Sequence, residues 1–350
     1  VTRKKVGIQL PKQAHNQTIE QRWSLELEAL ESIADIIEIR ADTPAEFASG
    51  VAEVDAIITS WGLRIDRQVI EALKNCVVIG VGSVGVDMVD IEAATAAGLV
   101  VTNVPDVFIE EVADHAMMLL LDVARMTPLM TRMAREGSWY QARPILSHSP
   151  RLFGQTLGLY AFGNVARCTA RRAKAFGMRV IAFDPYVSEL EITAAGVEPV
   201  GFGELLERSD FLSIHAPHNA ETEHAIDADA LARMKPTAAV INTARGPIID
   251  ELALIEALRA GMIAGAGLDV LEQEPPATDN PLLTMDNVVM TPHVASATTR
   301  MRPETRRRAA REVALVLRGR WPMSCVNPTV LPRVQLERWQ PYPMNRGPNR

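Results

Sequence analysis

The sequence predicts an α/β chain of two doubly wound parallel-sheet domains with a cleft between them, and three observations carry that expectation. Short apolar runs alternate with amphipathic stretches along the first hundred residues. A second series of the same kind opens near residue 156, and its apolar runs end at polar or charged residues. Such alternation is the pattern of βα units around a parallel sheet, whose ligands gather at the carboxyl ends of the strands. The 350 residues exceed one ordinary core, so two domains are expected.

In chain order, strands are expected at KVGIQL, IIEIR, VDAIITS, CVVIG and LVVTNV, separated by helices over IEQRWSLELEALESI and near 66–73 and 87–97. The segment 109–136 reads as one long helix whose methionines at 117, 118, 126, 130 and 133 pack. SWYQARPILSHSPRLFG then reads as a loop. Strands recur at 156–162, 179–183, 211–215, 238–242, 265–269 and 287–290, which places Asp184, His215, Arg245 and Asp269 around one crevice. Residues 321–350 become proline-rich and polar and cannot build a core of their own. Trp339 and Tyr342 are their candidate anchors.

Composition narrows the class. With 47% hydrophobic and 23% charged residues the chain fits a soluble globular enzyme, and a net charge of -7 argues against nucleic acid as main partner. Residues 300–320 are a local exception. Arg300, Arg302, Arg306, Arg307, Arg308, Arg311, Arg318 and Arg320 sit there in a helical pattern, expected to be a solvated or subunit-facing surface, with an anionic partner as the other reading. Cys76, Cys168 and Cys325 are far apart and read as reduced thiols. The longest apolar run, AMMLLLDVA, is too short for a membrane span, and a cytoplasmic location is expected.

Three separated segments, INTARGPIID, DVLEQEPP and VMTPHVAS, carry Arg245, Glu274 and His293. A guanidinium can grip a carboxylate bidentately while polarising the adjacent carbonyl, and an imidazole backed by a carboxylate can deliver the proton that accompanies a hydride. Each residue alone also has a bland reading, as surface ion pair, turn residue or structural histidine.

The strand at 156–162 runs into Ala161-Phe162-Gly163-Asn164-Val165-Ala166, with Asp184 at the end of the next strand. This is the dinucleotide-binding pattern without its first glycine. Alanine is tolerated at 161 if its φ stays negative, and Gly163 still lets the backbone approach a pyrophosphate. Asp184 is expected to accept from both ribose hydroxyls and to repel a 2′-phosphate. Pro185-Tyr186 adds no cation, so NAD is expected over NADP. The other reading of Asp184 is a turn cap in DPYVSE. No metal is expected at His215, His218 and His224, because no carboxylate or cysteine cluster completes a shell.

On VGVDMVDIEAATAAGLVVTNVPD, RRAKAFGMRVIAFDP, MKPTAAVINTARGPIIDELALIEAL, AGAGLDVLEQEP and NVVMTPHVASAT, the chain resembles the D-isomer-specific 2-hydroxyacid dehydrogenases from about residue 50 to 328. The resemblance implies a discontinuous, flavodoxin-like substrate domain, 1–102 plus 294–330, a Rossmann-type NAD-binding domain, 103–293, and a tail, 331–350. It also implies a homodimer joined through the NAD-binding domain. Carried over by motif, His293 is the acid/base, Glu274 its orienting carboxylate and Arg245 the substrate anchor. Gly163, Asn164 and Val165 match the pyrophosphate turn. Asp184, His215, Ala216 and Pro217 fall on the adenosine side, and Thr243, Ala244, Arg245, Asp269 and His293 near the nicotinamide. Ser83, Val84 and Gly85 match the loop that meets the substrate carboxylate. Trp61 is a candidate pocket wall or an ordinary core or surface tryptophan.

The implied activity is reduction of a small 2-keto acid by NADH, or the reverse oxidation. Many relatives carry a basic residue where this chain has Val81, and Val84 adds no cation either, so a substrate with a phosphate is not expected. The chain also resembles the C-terminal-binding-protein corepressors in FDPYVS and SCVN, although Ser296 stands where they carry tryptophan. A nucleotide-sensing corepressor or scaffold with little turnover is the alternative.

Overall fold

A computed structural model of the chain describes residues 3–10, 18–60, 62–147, 149 and 151–339. Trp61 and Tyr342, and with them their expected roles, lie outside these residues. The chain forms two compact units, one made of Val1–Val107 with Thr298–Arg350 and one of Phe108–Ala297.

In the first unit, β1 Lys4–Gln9, β2 Ala34–Ile39, β3 Ala56–Thr59, β4 Val78–Val81 and β5 Val100–Thr102 pair in parallel in the order β2-β1-β3-β4-β5. β3, β4 and β5 bury every residue, as strands of a parallel sheet covered on both faces do. Asn327 ties the C-terminal segment to the β5 edge. Its Oδ1 accepts from Val101 N, and its Nδ2 donates to Leu99 O and Thr95 Oγ1, each at 2.9 Å. Trp339 is anchored by Nε1 donating to Trp321 O at 2.9 Å.

The arginine-rich helix Met301–Leu317 departs from the sequence expectation. Arg306 clamps Glu26 through Nε and Nη2, both at 2.6 Å, and Arg307 pairs with Glu28 at 2.9 Å. Arg308 reaches Glu312 at 2.9 Å, and Arg318, just past the helix, donates to Ala29 O at 3.2 Å. These four guanidinium groups serve the unit's own packing. Periodicity along one helix does not reveal the acceptors of Arg306, Arg307 and Arg318, which lie some 280 residues away in sequence.

The second unit holds β6 Thr156–Tyr160, β7 Arg179–Phe183, β8 Glu198–Pro199, β9 Phe211–Ile214, β10 Ala239–Asn242, β11 Gly265–Leu268 and β12 Val288–Met290. All pair in parallel, in the order β12-β11-β10-β9-β6-β7-β8. The two-residue edge strand β8 is too short to leave a periodic signal.

The long helix expected over 109–136 is broken. Ile109–Arg125 ends at Met126, whose φ of 49° turns the chain, and Thr127–Arg135 follows with proline in its first turn. The first helix buries Ala113, Ala116, Met117, Leu119 and Leu120, and the second buries nothing. Of the five methionines expected to pack, Met117 alone is buried. The expected loop after them contains a further helix, Trp139–Leu146, also without a buried residue. Among the described residues no helix is long and apolar enough to cross a membrane.

Candidate functional site

β6 leads through Ala161 into the helix Asn164–Ala175. Ala161 N donates to Phe183 O at 2.9 Å and Phe162 N to Asp184 Oδ2 at 2.7 Å, so the turn is stitched to the end of β7. With this stitch Ala161 takes a φ of 72°, so the condition for accommodating a methyl without strain, a negative φ, is not met. Gly163 caps the helix without a side-chain hydrogen bond, and a Cβ there would meet nothing within 4 Å. The first-turn N–H groups of Asn164 and Val165 therefore belong to a helix end open to an anion.

Asp184 shows its turn-capping role. Its Oδ1 accepts from Tyr186 N at 2.8 Å and Val187 N at 3.2 Å, while Oδ2 braces the glycine turn. The carboxylate is thereby fixed at the end of β7. His215 follows β9, with Nε2 3.0 Å from Ser213 Oγ, and burial pushes its imidazole down to about 4. It is neutral at physiological pH. Ala216 is buried, and Pro217 O accepts from Thr222 Oγ1 at 2.6 Å.

At the end of β10, the buried Asn242 shapes the Arg245 turn. Its Nδ2 donates to Arg245 O at 2.8 Å and its Oδ1 accepts from Ala244 N at 3.0 Å. Arg245 Nη1 donates to Ala244 O at 2.7 Å, and the residue is half-buried. Thr243 Oγ1 is buried with no partner among the described residues. A buried hydroxyl left this way is a place for a ligand to bond. Together with the open helix start and the fixed carboxylate at β7, it fits a dinucleotide.

Glu274 and His293 are brought into direct contact. Because a carboxylate only accepts, His293 Nδ1–H donates to Glu274 Oε2 at 2.7 Å, which fixes the tautomer and orientation of the ring. Glu274 Oε1 accepts from Leu271 N at 3.1 Å. His293 itself has a φ of 52°, a conformation few non-glycine residues take, held by its N–H bonding Asp269 O at 2.8 Å and Thr291 O at 3.0 Å.

Asp269, expected to face the nicotinamide, spends its carboxylate on this turn. Oδ1 accepts from Thr291 Oγ1 at 2.6 Å and Val294 N at 2.9 Å, and Oδ2 from Ala295 N at 2.9 Å. His115 Nε2 lies 2.8 Å from Thr291 Oγ1 and 3.4 Å from Asp269 Oδ1. Burial works against the charge on Asp269, yet the bonds from His115, Thr291, Val294 and Ala295 prevail and hold its carboxyl below the usual carboxylate range. Sequence reasoning missed His115 and Thr291. The polar His115 within the apolar run AMMLLLDVA's helix was the available signal.

Ser83, Val84 and Gly85 belong to the first unit. Their carbonyls are engaged there, Ser83 O by Val104 N at 3.1 Å, Val84 O by Asn103 Nδ2 at 2.7 Å and Gly85 O by Ser83 Oγ at 2.7 Å. Val81 is fully buried at the end of β4 and Val84 is exposed.

Residues 117–295 match the family model for the NAD binding domain of D-isomer specific 2-hydroxyacid dehydrogenases. A glyoxylate reductase of Korarchaeum cryptofilum is 41% identical over 282 residues, which cover 80% of this chain and 85% of that protein. A D-3-phosphoglycerate dehydrogenase of Methanocaldococcus jannaschii is 38% identical over 317 residues, 90% of this chain, and the match spans 60% of that longer protein. Among solved structures, the NADPH-dependent glyoxylate/hydroxypyruvate reductase of Sinorhizobium meliloti in complex with NADP and malonate superposes with a TM-score of 0.79 at 31% identity, covering 94% of this chain and 98% of that one. The chain therefore belongs to the D-isomer specific 2-hydroxyacid dehydrogenase family, oxidoreductases of the CH–OH group of 2-hydroxy acids that work with a nicotinamide cofactor.

Proposed function

We propose that this protein is an NAD-dependent 2-keto acid reductase, acting reversibly as a D-2-hydroxyacid dehydrogenase on a small substrate without a phosphate. The observation that carries the reading is the 2.7 Å bond from His293 Nδ1 to Glu274, a carboxylate-backed imidazole of the kind that can take up and give up a proton. When bound, the nicotinamide supplies or accepts the hydride. In reduction, protonated His293 donates from Nε2 to the carbonyl oxygen as negative charge develops there, while Glu274 fixes the ring's tautomer and orientation. Arg245 holds the substrate carboxylate and stabilises the same oxygen. In oxidation neutral His293 receives the proton at Nε2.

The NAD preference is supported by the Asp184 carboxylate, whose charge would oppose a 2′-phosphate, although the Sinorhizobium meliloti neighbour is NADPH-dependent. The phosphate-free substrate is supported by the exposed and uncharged Val84, although phosphoglycerate dehydrogenases are also relatives. The homodimer is supported by the helices Thr127–Arg135 and Trp139–Leu146. Neither buries a residue, and Trp139 and Tyr140 are 71% and 92% exposed.

A spectrophotometric screen tests the proposal, following NADH and NADPH oxidation with glyoxylate, hydroxypyruvate, phosphohydroxypyruvate and branched and aromatic 2-keto acids. NADH is expected to be preferred and phosphohydroxypyruvate to be poor, and His293→Ala should lower kcat by about 100-fold or more. Retention of the parent rate within a few-fold in His293→Ala would remove the acid/base assignment. NADH binding with negligible turnover on every keto acid would favour the corepressor-like reading.

A further inference from the structure

Two carboxylates that the chemistry above does not use join the Arg245 loop to the Glu274 loop. Glu251 opens the helix Glu251–Arg259, six residues after Arg245, and Glu272 stands two residues before Glu274. Each side chain accepts from the other's main chain, Glu251 N to Glu272 Oε1 at 3.1 Å and Glu272 N to Glu251 Oε2 at 3.0 Å. Each carboxylate also has a side-chain partner. His224 Nε2 lies 2.8 Å from Glu272 Oε1, and Asn280 Nδ2 donates to Glu251 Oε1 at 2.7 Å. The helix start also favours an anion at the Glu251 N–H.

Around this reciprocal pair the two loops touch main chain to main chain. A Cβ on Gly246 would lie 1.9 Å from the carbonyl carbon of Leu271 and 2.4 Å from Glu272 N. On its other side the same loop receives His224 N at Pro247 O, 2.8 Å, and Ile226 N at Ile248 O, 3.1 Å. Leu271 N in turn bonds Glu274, and Glu274 bonds His293. An unbroken path of close contacts thus runs from the peptide next to Arg245 to the acid/base histidine. Ordinary surface caps would satisfy one loop each. Reciprocity across two loops, each adjoining a reacting group, is a different arrangement.

We propose that Glu251 and Glu272 are a pair of positioning residues that set the register of Arg245 against Glu274 and His293. The catalytic part of this inference rests on the reductase reading above. Loosening the pair leaves the coenzyme turn at Gly163 untouched but moves the groups that must meet one substrate, and small misplacements at a reacting centre cost rate steeply.

The test compares Glu251→Ala, Glu272→Ala, the double variant and the two Gln variants in the full-length protein. In Glu272→Ala, amide hydrogen exchange should speed up in the peptide 243–250, across the seam, and in Glu251→Ala in the peptide 270–274. With glyoxylate as probe, each Ala variant should lose about tenfold or more in kcat while the NADH dissociation constant, from coenzyme fluorescence, stays within about twofold. The double variant should lose no more than the worse single one, because both remove the same clasp. The Gln variants keep an acceptor oxygen and should recover most of the rate. Exchange confined to the mutated loop, or kcat unchanged in both Ala variants, overturns the proposal, as does a parallel loss of NADH affinity. If the parent turns over no keto acid, the reductase reading fails, and the exchange measurement still decides whether the two loops are coupled.

Discussion

Ala161 sits at a φ of 72°, where an L side chain costs about 1–2 kcal/mol relative to glycine. Its half-buried methyl packs against the sheet core, which returns less than about 0.8 kcal/mol. Strain wins. Ala161→Gly is therefore expected to raise the unfolding free energy by about 0.5 kcal/mol in urea titration, once the greater freedom of glycine in the unfolded chain is counted. A lower stability would show that the methyl packing outweighs the strain. The missing glycine was visible in the sequence, but the sign of φ was not, because it is imposed by bonds to Phe183 and Asp184, more than twenty residues on. The same holds at the acid/base pair. Glu274 and His293 could be named from residue type and spacing, whereas the positive φ of His293 and its dependence on Asp269, Thr291 and His115 arise only from contacts across the fold.

At the level of elements, the helix Met301–Leu317 shows what a one-dimensional pattern leaves out. Its arginines repeat as an exposed face would, yet Arg306 neutralises Glu26, which is 2% exposed, and stacks over Trp23 with its guanidinium carbon 5.5 Å from the ring centroid. Removing one member of a buried pair strands the other's charge. Arg306→Ala should therefore cost about 3–5 kcal/mol, whereas Arg302→Ala, on the exposed side, should change stability by less than about 0.5 kcal/mol. Equilibrium denaturation of both variants checks the contrast, and equal effects would refute the assignment of the helix's inner face. Strands were more legible than helices. Apolar runs bounded by turn residues marked all but the two-residue β8, while the break after Arg125 was signalled by Pro128 in the next helix's first turn and not by Met126, where the chain turns.

For the molecule as a whole, two parallel sheets could be read from the alternation of apolar runs, since a strand buried on both faces needs an uninterrupted apolar stretch. What covers an outer helix leaves no such trace. If a second copy covers Thr127–Arg135 and Trp139–Leu146, light scattering will give twice the 38.3 kDa chain mass, and Trp139→Glu combined with Tyr140→Glu will reduce it to one. A parent that is already monomeric would reject the dimer. The division of the chain has a bearing on inheritance. Arg245, Glu274, His293 and the turn at Gly163 all fall between Phe108 and Ala297, one continuous reading frame, while the other unit is encoded in two pieces. Recombination at those two borders would exchange the proton-transfer pair together with the coenzyme turn as a single cassette and leave the codons for Val81 and Val84 behind.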